Sequence, residues 1–109
     1  KLGKSFFIPP YNSSIGVVRV APSQNNTTVY VDADNNGVAD ETHSGLNIGS
    51  STTLTNTDAG THVYADKPIH LGIEGYSGTG MGWNDILPVE ALSSAYFAAG
   101  VQYTANLYA

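Results

Sequence analysis

Apolar residues in this chain recur at every second position, in short runs closed by turn residues, and almost nowhere at helical spacing. The longest run lies near the end, where Val101, Tyr103, Ala105 and Leu107 alternate with Gln102, Thr104, Asn106 and Tyr108. Successive side chains of a strand point to opposite faces, so such a run carries one apolar and one polar face. The same rhythm predicts strands over residues 6–8, 15–20, 27–31, 46–48, 51–54, 61–65 and 69–74, and residues 83–87 return to apolar character. Pro9-Pro10 closes the first, because proline has no amide for a ladder. Asp66-Lys67-Pro68 reads as a hairpin turn between two strands, and 75–82, with four glycines in eight residues, as a flexible loop. One short helical turn is expected over 89–94, just after Pro88. The pattern predicts an all-β fold, a two-sheet sandwich of immunoglobulin-like or jelly-roll character.

A chain of 109 residues suffices for one such core, so residues 1–109 read as a single domain. Charged residues make up only 12 % of it, about half the usual share. Ser, Thr, Asn, Gly and Tyr must fill the surface instead, a makeup common in secreted β-proteins and in subunits that pack side by side. The net charge is −5, with Lys1, Lys4, Arg19 and Lys67 as the cations. They are scattered, which argues against nucleic acid and anionic lipid as partners. No apolar run is long enough for membrane insertion. The lack of cysteine removes disulfides, thiolate metal sites and cysteine nucleophiles together. A start at Lys1 without a leader suits a mature or excised chain. Asn12, Asn25 and Asn26 open glycosylation sequons in turn-like surroundings.

Residues 32–41 hold four of the nine carboxylates, in the order Asp32, Asp34, Asp40 and Glu41. Like charges this close repel unless something positive sits among them. The spacing D-x-D-x-N-G-x-x-D places side-chain oxygens at alternate positions before a glycine, the kind of loop Ca²⁺ takes. The ligands would be Asp32, Asp34, Asn36, the Val38 carbonyl and Asp40, with Glu41 or Asp58 completing the shell. An EF-hand is rejected, because His43 stands where the bidentate Glu belongs and a strand, not a helix, leads in. A bare hairpin apex explains Asn36-Gly37. It leaves the flanking carboxylates unexplained, and a structural calcium site is the expectation.

The remaining chemistry is thinner. Across a hairpin at 66–68, His62 and His70 could face each other and bind zinc, yet no third ligand is patterned nearby. Ordinary strand histidines explain them better. Glu74, Asp85 and Glu90 offer carboxylates for glycoside hydrolysis with nothing to fix their separation. The serines lack a nucleophile elbow and the glycine run lacks the Lys-Ser/Thr of a phosphate loop. The chain does not read as an enzyme. Seven tyrosines and Trp83 could make a sugar-binding platform, although Trp83 reads more simply as a core anchor.

Three stretches carry a resemblance to a known family. The run Tyr64-Ala65-Asp66-Lys67-Pro68-Ile69-His70-Leu71-Gly72 resembles the "SDKPI-V" strand-turn-strand of the domain named for the N-terminal region of IgG-Fc-binding proteins. The run from Leu87-Pro88-Val89-Glu90-Ala91-Leu92 to Phe97 resembles that family's "LPVEALGTEYY", and Gly3-Lys4-Ser5-Phe6-Phe7-Ile8-Pro9 its "G-EFFVAFP" opening. Order and spacing agree over most of residues 3–97. The resemblance implies a β-rich module of large secreted and cell-surface proteins and not an enzyme. Immunoglobulin binding does not carry over, because the motifs mark a fold and not a binding site.

The resulting expectation is an extracellular, cell-surface structural subunit of a filament, layer or stalk, stiffened by calcium and partnered by its own copies or neighbouring surface domains. Residues 101–109 could be a strand-exchanging tail, or residues 2–8 could supply the exchanged strand. Equally, the tail could fold back into its own sheet. The competing expectation is a calcium-dependent adhesion module that binds glycans or protein.

Overall fold

The computed structural model describes residues 2–76 and 81–91; for Tyr76 and residues 81–83 it describes the backbone alone. The 101–109 run, residues 92–94 of the expected 89–94 turn and the Trp83 side chain lie outside what is described. Within it the chain is an antiparallel β-protein. Its strands are β1 (Gly3–Phe7), β2 (Gly16–Pro22), β3 (Thr27–Asp32), β4 (Glu41–Leu46), β5 (Thr52–Thr53), β6 (His62–Tyr76) and β7 (Met81–Asp85). A 3₁₀ turn, Val89–Ala91, follows. All seven strands belong to one hydrogen-bonded sheet, curled into a half-barrel.

The spine of the sheet is β6, 15 residues long. It runs straight through Asp66-Lys67-Pro68, where the sequence suggested a hairpin. Ile69 shows how both edges are used, pairing with Gly3 of β1 on one side and Pro22 of β2 on the other. Along one edge β3 covers residues 62–65 and β2 covers 69–75, so β2 and β3 lie end to end. Along the opposite edge β1 is followed by β7. Residues 66–68 are therefore the point at which β6 changes partners on one edge.

The charged triplet serves that junction. Asp66 Oδ1 accepts the Thr28 amide at 2.9 Å, and Lys67 Nζ donates to the carbonyls of Asn25 and Asn26 at 2.9 and 2.8 Å. The Pro68 carbonyl accepts the Ser23 amide and hydroxyl. All these partners lie in or beside the β2–β3 turn. The missing proline amide costs no ladder bond where a strand is changing neighbours. The hairpin turn expected at Asp66-Lys67-Pro68 is thus corrected to a continuous strand, whose bonds at this point run to the β2–β3 turn.

Alternation on the strands builds the core. Phe6, Val18, Val20, Val29, Val31, Val63, Ala65, Ile69 and Leu71 face inward, joined by Ile8, Leu54 and Ile86 from the connections. The other face carries a cross-strand aromatic stack. Phe7 lies on His62 at 4.7 Å between centroids, His62 on Tyr64 at 5.0 Å, and Tyr64 on Tyr30 at 5.0 Å.

β1 is fastened on its second side by residues 88–90. It carries a bulge between Gly3 and Ser5. At that bulge Glu90 accepts the amides of Lys4 and Ser5, at 2.8 and 3.2 Å. The Pro88 ring fills the space where a side chain on Gly3 would stand. Gly3→Ala should therefore force β1 and the 3₁₀ turn apart, costing about 1–3 kcal/mol as in other overpacked sites. Urea unfolding would read this as a lower midpoint at unchanged slope, and an unaltered midpoint would refute the close fit.

Candidate metal site

The acidic segment is the hairpin between β3 and β4, and its geometry starts from Asp32, the last residue of β3. This aspartate is buried to 2 % exposure. A carboxylate so enclosed has to be matched by donors. The loop supplies them, Gly37 N to Oδ2 at 2.8 Å and Asn36 N to Oδ1 at 3.2 Å. To aim those amides back at Asp32 the chain adopts left-handed angles at Asn35 (φ 57°) and Gly37 (φ 86°). Glycine and asparagine are the residues that take such angles most readily. Burial pushes the Asp32 pKa up, but hydrogen bonds from the amides of Gly37, Asn36 and Asn35 outweigh it. The net shift is downward, which favours the ionised form.

Asp34 and Asp40 then lean onto Asp32. One carboxylate oxygen from each of Asp32, Asp34 and Asp40 lies within 4.8 Å of the others. Asp40 is anchored from both ends, its amide donating to the Val31 carbonyl at 2.7 Å and its Oδ2 accepting the Ala33 amide at 2.8 Å. Three such oxygens can hold a hard, oxygen-seeking metal ion. Asp34 and Asp40 are exposed, so solvent reaches the cluster from outside.

The other expected ligands are placed differently. Asn36 is engaged inside the loop, its Oδ1 accepting the Val38 amide at 2.9 Å and its Nδ2 donating to Asp34 Oδ2 at 3.2 Å. Val38 projects its side chain into solvent at 66 % exposure. Asp58 is exposed in the β5–β6 connection and is absent from the converging set among the described residues. That connection is nevertheless tied to the hairpin, because Asn35 Nδ2 donates to the Gly60 carbonyl at 2.8 Å.

Glu41 turns away from the cluster. Its carboxylate accepts the Thr55 amide and hydroxyl, the Asn56 amide and the Asn56 Nδ2, at 2.9–3.2 Å. It also pairs with His43. Burial would raise its pKa, yet the bonds from His43, Asn56 and Thr55 lower it from 4.5 to about 2. Glu41 is a clasp between β4 and the β5–β6 connection, a role no spacing in the sequence reveals, since Thr55 and Asn56 are ordinary loop residues. Glu90 is likewise a fastener of β1, and Glu74 sits 3.7 Å from Arg19 Nη1.

His62 and His70 lie on one continuous strand and not across a hairpin. Eight residues of strand separate them by roughly 26 Å, which removes the facing geometry a shared zinc would need. His62 accepts or donates a bond with Ser5 Oγ at 2.9 Å within the aromatic stack. The sequon asparagines Asn12, Asn25 and Asn26 are all exposed. The Asn12 Oδ1 already accepts the Ser14 amide and hydroxyl. Asn25 Oδ1 accepts the Ile48 amide. Among the described residues no helix is long and apolar enough to cross a membrane.

No protein-family model matches the chain, and no characterised protein or solved structure matches it either.

The Glu41 clasp has a testable pH signature. Its folded pKa lies below the ordinary value, so its contribution is complete above about pH 4.5 and fades as pH falls toward about 2. Glu41→Gln should cost about 2 kcal/mol at pH 7, after discounting for solvent around the partners. The gap to the parent should close near pH 2. Urea midpoints of both chains across pH 2–7 would check this, and a pH-independent gap would refute the charge-based account.

Proposed function

We propose that this chain is an extracellular structural β-domain, a subunit of a surface filament, layer or stalk, with calcium held at the β3–β4 hairpin. The observation that carries the reading is the convergence of Asp32, Asp34 and Asp40 on a hairpin that is itself tied to the neighbouring connection. A cation there would cancel the repulsion of three carboxylates and lock two loops at one end of the sheet. Ca²⁺ suits the site better than Mg²⁺, because it tolerates irregular shells of six to eight oxygens completed by carbonyls and water. In this proposal the Val38 carbonyl and water fill the remaining positions.

A surface low in charge and rich in Ser, Thr, Asn and Tyr favours packing against copies or neighbouring domains. The exposed sequons suit a glycosylated, secreted protein. The resemblance to the IgG-Fc-binding-protein N-terminal-like domain points the same way, and membership in that family is part of the proposal. So is closure of the curled sheet into a two-layered sandwich, which the change of partners along β6 would permit, since strands switch sheets at bends and bulges.

The second reading, a calcium-dependent glycan-binding module, draws on the aromatic stack beside Asp32. A sugar platform needs ring faces open to solvent. Here Phe7, His62, Tyr64 and Tyr30 turn their faces to one another, so the structural reading ranks first.

Two measurements bear on it. Millimolar calcium should raise the melting temperature by at least about 5 °C over chelator, and Asp34→Asn should abolish most of that gain. Identical melts in calcium and chelator would remove the metal. Negative-stain images of concentrated protein should contain ordered assemblies, whereas a monodisperse monomer that scores on a glycan array would favour the adhesion module.

A further inference from the structure

β1 forms no ladder with β2, the strand that follows it. Its ladder is with β6, from Gly3 opposite Ile69 to Phe7 opposite His62, and its other side packs on the 3₁₀ turn. The ladder of β1, its stacked ring and its contacts with the 3₁₀ turn are therefore all to residues more than fifty positions away. Phe6 and Ile8 fill the core, the Lys4 and Ser5 amides hold Glu90, Gly3 accepts the Pro88 ring, and Phe7 stacks on His62. None of these contacts requires that β1 and β6 belong to the same molecule.

The connection to β2 has the character of a hinge. It leaves β1 through Pro9-Pro10, and each proline holds its own φ near −65° and pushes the residue before it into extended backbone. The reversal is made only later, where the Asn12 carbonyl accepts the amides of Ile15 and Gly16 at 3.2 and 3.0 Å. Straightening that turn would free those two bonds and carry β1, still extended, away from its own β6.

Two other strand edges, those of β5 and β4, are blunted. β5 is two residues long. β4 is kinked by a bulge at Gly45 (φ 67°), and Glu41 ties its first residue to the Thr55–Asn56 loop. Short, bulged or covered edges are poor templates for an added strand.

From these contacts we infer that β1 is an exchangeable arm, and that in the assembled state it occupies the slot between β6 and residues 88–90 of a second copy. The inference rests on the structural-subunit reading and names the contact by which its subunits would join. Exchange repeats every contact of the closed monomer, so the balance between the two forms is set by the hinge and by concentration. A short tether gives the monomer's own arm an effective concentration near millimolar. Exchange accordingly belongs to crowded conditions, and dilute protein keeps its own arm.

The absence of cysteine allows a direct test. Full-length chains carrying Phe7→Cys and His62→Cys alone would be unfolded, mixed, refolded together at millimolar concentration and oxidised. These positions face each other across β1 and β6, so a disulfide between the two chains forms when the arm of one lies on the β6 of the other. The expected yield is at least tenfold above a control pair of Phe7→Cys with Thr53→Cys, which sits on β5 away from β1. Ser5→Cys with Tyr64→Cys, the next facing pair, serves if the first variants fold poorly. Ordered assemblies in negative stain without the mixed disulfide would overturn the exchange and leave the structural reading standing. Monomers at every concentration without the disulfide would overturn both.

Discussion

The fold depends on one strand, β6, that takes two successive partners along each of its edges. β6 receives β3 and then β2 on one side, β1 and then β7 on the other, and the inward residues of β1, β2, β3 and β6 meet in one core. The change from β3 to β2 falls at residues 66–68. There Asp66, Lys67 and Pro68 bond to the β2–β3 turn and so tie the junction of those two strands to β6.

Charge is used with economy. Of the nine carboxylates, Asp32, Asp40, Glu41, Asp66 and Glu90 each accept main-chain amides from another part of the chain. Amides at bulges, strand ends and loop starts have no ladder partner, and an ionised carboxylate satisfies them more strongly than a neutral group does. The acidic balance of the chain thus works largely inward, as a set of fasteners. The hairpin cluster differs, because there three carboxylates also face one another and a cation becomes a natural complement.

Much of this architecture is legible in the residues themselves. The period of two and the inward set Val18, Val20, Val29 and Val31 follow directly from side-chain alternation, and Pro9-Pro10 lies just beyond the end of β1. The acidic hairpin is equally visible, because density of charge is a local property. The continuity of β6 is not. Asp-Lys-Pro reads as a hairpin by local turn chemistry, and only the distant partners at Ser23, Asn25, Asn26 and Thr28 reveal a change of neighbours along one continuous strand. Glu41 illustrates the same limit within the site. Its neighbours in sequence are metal-ligand candidates, while its bonds go to Thr55 and Asn56.

The sequence by itself determined that the chain folds as strands, that its surface carries little charge, and that one hairpin concentrates carboxylates, because alternation and composition act over a few residues. Tertiary structure alone decided which carboxylates converge and which are spent on amides, that His62 and His70 stay far apart, and that β1 takes its ladder from distant β6. Those outcomes depend on which strands lie side by side, and pairing between distant segments leaves no mark in local spacing.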